Sequence, residues 1–175
     1  ITLMAALVIM TASAFAQQLW KIDGAHSKVR FTTKYLLISD VDGEFKKFDG
    51  KVTSSAADFS DLAATITVDV NSIVTDNDMR DGHLKSDDFF NAEKYPSMTF
   101  KSTGIKSLGN KKYMLSGLLT IRDVTKAVSI PLVYGGTVTD PWGNIKAGFK
   151  ATGSINRQEY GLKWDNKAAT GEAVV

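Results

Sequence analysis

Apolar residues recur at every second position in several stretches of this chain. Val29, Phe31 and Tyr35 alternate with Arg30, Thr32 and Lys34, and Ile66, Val68 and Val70 alternate with Thr65, Thr67 and Asp69. Tyr113, Leu115, Leu119 and Ile121 repeat the pattern, as do Val128, Ile130, Leu132 and Tyr134, and then Ile145, Ala147 and Phe149 against Lys146 and Lys150. Strand side chains point alternately to opposite faces, so such runs predict strands with one buried and one wetted face. Strands are expected near 19–23, 27–36, 43–53, 62–72, 97–105, 112–121, 125–134, 136–140, 145–156 and 160–175. Turn signals at Asp49-Gly50, Gly109-Asn110, Gly135-Gly136 and Pro141-Trp142-Gly143-Asn144 separate them, as in an up-and-down meander.

Residues 76–92 break the alternation. Thr75 with Asp78, and Ser86 with Asp87-Asp88 ahead of Phe89-Phe90, predict two short helical turns in one long connection. The fold class is therefore all-β: one large antiparallel sheet of eight or so strands with an apolar inside. Closing that sheet into a barrel removes its edges and leaves an interior able to hold a ligand, although a two-sheet sandwich satisfies the same alternation.

Both ends of the chain carry their own signals. Leu3 to Met10 is an uncharged apolar run followed by Ala14-Phe15-Ala16, the h-region and cleavage site of a secretory signal peptide over residues 1–16. The run is shorter than the ~20 residues of a spanning helix. Cleavage after Ala16 leaves residues 17–175, one domain, with no membrane span. An exported chain with no cysteine fits a bacterial periplasm. Gly171-Glu172-Ala173-Val174-Val175 ends inside an apolar run, so about ten to twenty further residues, one more strand and its end, are expected beyond it.

Charge narrows the functional classes. Lysine and arginine total 21 against 19 acids, a net charge of +2, and read along the chain the basic residues are scattered. The doublets Lys46-Lys47 and Lys111-Lys112 read as solvated hairpin ends, and nucleic-acid binding has no footprint. Asp23, His26 and Ser27 are the residue types of nucleophilic hydrolysis, yet they share one short stretch and no Gly-x-Ser-x-Gly elbow occurs. A calcium loop imagined from Asp76, Asp78 and Asp87 has its glycine at 82 instead of 81 and lacks glutamate at its final position. With two histidines and no cysteine, zinc or copper has almost no ligands to draw on, and no cofactor is implied.

Several spaced motifs in one order carry a resemblance. Trp20-x-x-Asp23-x-x-His26-Ser27-x-Val29-x-Phe31, Gly43-x-Phe45-x-x-Phe48-x-Gly50, Asp81-x-His83-Leu84-x-Ser86-x-x-Phe89 and Tyr95-Pro96-x-x-Phe100-x-Ser102 are followed by Gly117-Leu118-Leu119-Thr120-Ile121-Arg122-x-Val124-Thr125-Lys126, Gly148-Phe149 and Ile155-x-Arg157-x-x-x-Gly161. Together they resemble the YceI-like family of polyisoprenoid-binding, lipocalin-like proteins. The resemblance implies an exported eight-stranded antiparallel barrel, often dimeric, holding a long isoprenoid or similar amphiphilic lipid in its lumen. The chain departs from that family at Tyr35, where a histidine is frequent, and at Asp123, where glycine is usual.

Face alternation nominates Phe31, Tyr35, Phe45, Ile66, Val68, Phe100, Leu119, Ile130 and Phe149 for the lumen, with plain core packing as the competing role. Arg80, His83 and Lys85, in the long connection, are candidates to meet a polar or anionic head group at the mouth or to form a solvated rim. Apolar inward faces gain about 25 cal/mol for each Å² of lipid tail they take from water, so a long tail binds with few polar contacts. The reading is a binding protein that sequesters or transports lipid. Its alternatives are a lipid-acting isomerase or hydrolase, with Tyr35, Tyr113 and Tyr134 as the only inward ionisable groups, and a filled-core structural β protein.

Overall fold

The computed structural model describes residues 17–171 and 173–175; the segment expected to be a signal peptide lies outside them. Among the described residues ten strands form: β1 (Gln18–Lys21), β2 (Val29–Tyr35), β3 (Ser39–Phe45), β4 (Phe48–Ser54), β5 (Ala63–Asp69), β6 (Ile73–Val74), β7 (Ser97–Gly109), β8 (Lys112–Ile121), β9 (Val124–Thr139) and β10 (Ile145–Ala151). One helix, α1 (Asp78–Lys85), sits between β6 and β7. Seven strands pair in the order β1-β4-β5-β7-β8-β9-β10 and three in the order β2-β3-β6. Every pairing is antiparallel.

The two sheets are one ribbon turned through a corner. β3 runs into β4 through Lys46-Lys47, and β5 runs into β6 through a single 3-10 turn, Val70–Ser72. The Lys46 amide donates to the Ser72 carbonyl at 3.0 Å, and the Asp69 amide to the Lys47 carbonyl at 2.9 Å. Main-chain pairing thus continues through the bend, as it does where strands switch sheets. β1 and β2 lie end to end on the far side of the same ribbon. The product is a curled antiparallel half-barrel of the expected class, with its ten strands at seven positions around the curl.

Local differences from the expected elements have identifiable causes. Asp49-Gly50 lies inside β4, not at a turn; a Cβ on Gly50 would come within 2.6 Å of the Thr65 carbonyl, so this glycine serves close approach of β4 to β5. Gly135-Gly136 lies inside β9, where Gly136 has φ +129° and Gly135 is skipped in the pairing with β10. That bulge bends the hairpin instead of ending a strand. Over 160–175 the only pairing among the described residues is a Lys167–Ala173 bridge, because the chain turns through a 3-10 segment, Arg157–Tyr160, closed by Gly161 at φ +82°.

Asn77, not Thr75, caps α1, its side chain accepting from the Arg80 amide at 2.9 Å. Ser86 ends that helix, its hydroxyl donating to the His83 carbonyl at 2.7 Å, and so cannot start a second one.

Apolar inward faces make two contiguous clusters. One, beside α1, gathers Phe45, Val68, Val70, Ile73, Phe89, Met98, Ile121, Tyr160 and Leu162. The other, toward the β7–β8 turn, gathers Phe59, Leu62, Tyr113, Leu115, Leu132 and Tyr134. Ile66 and Phe100, directly opposed on β5 and β7, join them.

Candidate functional site

The free edges of the curl, β10 on one side and the β1–β2 connection on the other, approach one another at Asp23. Lys146 of β10 places its ammonium 2.7 Å from Asp23 Oδ2, and His26 Nδ1 lies 3.0 Å from the same oxygen. Hydrogen bonds from Lys146 and then His26 hold the Asp23 carboxyl at a pKa of about 2, below its ordinary 3.8. Among the described residues no hydrogen bond joins Ser27 to this pair, so the hydrolytic residue types do not form a relay.

Around this crossing opens a cleft of about 780 Å³, a size typical of small-molecule sites. Its lining mixes the polar side chains of Asp23, His26, Lys28 and Lys146 with Val138, Trp142, Ala147 and Phe149. The Phe149 ring stacks on Tyr134 at 5.2 Å and meets Phe59 edge-on at 4.9 Å. Phe59 in turn packs on Tyr134 at 5.1 Å and on Trp20 at 5.3 Å. An aromatic floor therefore runs from the cleft into the buried cluster. Within it the Trp20 indole Nε1 is buried with no acceptor among the described residues, an interior donor.

Inward hydroxyls are already engaged. Tyr113 donates to the Asp58 carbonyl at 2.5 Å, and burial pushes its pKa upward. Tyr134 shares a 2.6 Å hydrogen bond with Thr137. The raised pKa keeps the Tyr113 phenol neutral, and a neutral phenol is a poor base near neutral pH.

The twelve residues nominated from sequence separate into groups. Phe45 and Val68 are buried in the cluster beside α1, with Phe31, Ile66 and Leu119 packed against it. Phe100 packs against the second cluster, and Ile130 shares its face, opposite Leu115. Phe149, 36% exposed, forms the cleft floor. Tyr35 is 43% exposed at the end of β2, away from both clusters. Phe31 also lines a second cleft of about 390 Å³ with Arg30, Glu44 and Val74.

Arg80, His83 and Lys85 lie on α1, outside the lining of either cleft. The Arg80 guanidinium donates to the Thr75 hydroxyl and carbonyl at 2.8 and 2.6 Å. His83 contacts Asp88 at 2.8 Å, and its ring meets Phe89 and Trp164 edge-on at 5.0 and 5.4 Å. Asp123, the departure from the resembled pattern, accepts from the Tyr95 hydroxyl at 3.0 Å in the β8–β9 turn. Sequence reasoning missed Phe59, Trp20 and Trp142 as site residues. Phe59 sits in a loop at φ +62°, outside any alternation, and Trp142 was legible only as part of a turn.

Residues 20–175 match the YceI-like domain. The chain belongs to the YceI-like family. A UPF0312 protein of Shewanella denitrificans is 36% identical over 161 residues, covering 92% of this chain and 84% of its own. The crystal structure of BcnA from Burkholderia cenocepacia superposes with a TM-score of 0.72 at 28% identity, covering 80% of this chain and 84% of that one. A polyisoprenoid binding domain from Saccharophagus degradans shares the fold, with a TM-score of 0.53 at 19% identity over 70% of this chain and 69% of that one. The sequence motifs and the half-barrel thus lead to the same YceI-like family.

Proposed function

We propose that this protein is an exported, periplasmic lipid-binding protein that sequesters or transports a long-chain polyisoprenoid or similar amphiphile without altering it. The observation that carries this reading is the amphipathic cleft whose Phe149 floor continues through Tyr134 and Phe59 into the apolar interior. A tail laid along that floor loses water contact at about 25 cal/mol for each Å², while Lys28 and the Lys146–Asp23–His26 group face the head. Membership of the YceI-like family, and the likeness in fold to a polyisoprenoid binding domain, support the choice of cargo.

The test is native mass spectrometry and lipid extraction of protein purified from a bacterial periplasm, followed by uptake of a labelled polyisoprenol. One bound amphiphile per chain or per dimer, lost in Phe149→Glu while circular dichroism is unchanged, is the expected result. A protein that purifies without lipid and takes up no polyisoprenol refutes the proposal.

A further inference from the structure

Lysines scattered in the sequence are gathered by the sheet. Between Glu93 and Glu159 the acids are Asp123 and Asp140 alone, both in turns, so the four neighbouring strands β7–β10 contain no carboxylate. Their lysines on the outward face are Lys101 and Lys106 on β7, Lys112 on β8, and Lys146 and Lys150 on β10. Lys146 is drawn to Asp23, whereas the other four form no ion pair among the described residues. Register aligns Lys101 with Leu118, and Lys112 with Val133 and Lys150, in cross-strand rows. Leu118 is 42% and Val133 44% exposed, so the face mixes cations with wetted aliphatic groups.

At the end of this face the β9–β10 turn presents Trp142, 84% exposed. The Asp140 carboxylate accepts from the Trp142 amide at 3.0 Å and from the Asn144 amide at 2.8 Å. The indole is thus held out on an ordered turn, and the one acid of the hairpin is occupied by its own loop. Tryptophan on an ordered tip beside aliphatic residues and lysines is the chemistry of a bilayer interface. Exposed leucine and valine gain nothing from a phosphate backbone, whereas a bilayer interface takes them up.

We propose that the outward face of β7–β10, with Trp142 at its tip, docks on an anionic phospholipid bilayer and brings the cleft mouth, which Trp142 also lines, against the membrane. This rests on the lipid-binding reading, since docking at that point is what cargo exchange requires. Flotation of the full chain with phosphatidylcholine vesicles, with and without about 30 mol% phosphatidylglycerol to supply negative surface charge, tests it. Expected are binding to the anionic vesicles, loss by about tenfold or more in Lys112→Glu/Lys150→Glu, and quenching of tryptophan fluorescence by brominated lipid that disappears in Trp142→Ser.

Equal binding to both vesicle types, or binding unchanged in the charge-reversed variant, overturns the proposal. So does tighter binding of single-stranded RNA, or self-association that occludes Trp142. Polyisoprenol uptake from detergent, measured in parallel, separates the two readings. Uptake without vesicle binding removes docking alone, and vesicle binding without uptake removes lipid carriage.

Discussion

Replacing Phe59 by alanine tests whether the aromatic floor is a built element. Phe59 is 3% exposed and touches the rings of Trp20, Tyr134 and Phe149. Truncating a buried phenylalanine costs about 3–5 kcal/mol, the spread reflecting how far the surroundings collapse into the space. Collapse is restricted here because the 55–62 loop is pinned from both sides. The Asp61 carboxylate accepts from the amides of Ser55 and Ala56 at 2.8 and 3.1 Å and from the Ser54 hydroxyl, while Tyr113 holds the Asp58 carbonyl.

The expected loss is therefore in the upper part of that range, about 4 kcal/mol, with a fall in Tm of roughly 8–16 °C for a domain of this size. Phe59→Leu, which keeps most of the volume, is expected to lose under about 1.5 kcal/mol. Urea unfolding followed by far-UV circular dichroism measures both at matched slope. A loss below about 1 kcal/mol for Phe59→Ala with an unchanged slope would refute the packing argument, because no fixed ring cage survives such a result.

Three further outcomes follow from local chemistry. Leu36 and Leu37 occupy left-handed backbone at φ +50° and +61° in the β2–β3 turn, closed by the Ile38 amide on the Tyr35 carbonyl, so Leu37→Gly is expected to raise stability by about 0.5–1 kcal/mol in the same assay. Asp81 is buried and accepts from the Thr75 amide and hydroxyl at 2.8 and 2.6 Å, so Asp81→Ala, which strands that buried amide, is expected to cost about 2–3 kcal/mol by thermal unfolding. Because the folded Asp23 pKa of about 2 lies below its ordinary 3.8, its contribution is present above about pH 4 and lost as pH falls toward 2; carboxyl NMR titration should show Lys146→Ala moving that pKa upward, and an unmoved titration counts against the edge-to-edge contact.

Alternation made the long strands legible because one face of each is buried and the other wet, as in β8, where Tyr113 and Leu115 are buried beside exposed Lys112 and half-buried Met114. Glycine was the ambiguous letter. Gly50 is needed for close approach within β4, and Gly136 for a bend within β9, and a turn signal does not distinguish these uses from chain reversal. The corner at Lys46-Lys47 carries no turn residue at all; it follows from the 3-10 turn on the partner strand. Tyr160, Leu162 and Trp164 join the core singly from an irregular segment, so their apolar run read as a strand.

The site was less legible for a different reason. Alternation states which way a side chain points, not whether the space it enters is filled, so Phe45 and Phe149 looked alike although one is buried and the other floors an open cleft. Phe59 reaches the same floor from a loop, and Lys146 reaches Asp23 across 123 positions, contacts that no local pattern encodes. Charge behaves the same way. Lys101, Lys112 and Lys150 are unremarkable in order along the chain, yet consecutive acid-free strands become adjacent in a meander and turn composition into a face. In a β protein of this topology, the absence of carboxylates over a long stretch is the sequence signal that survives folding, because neighbouring strands inherit it together.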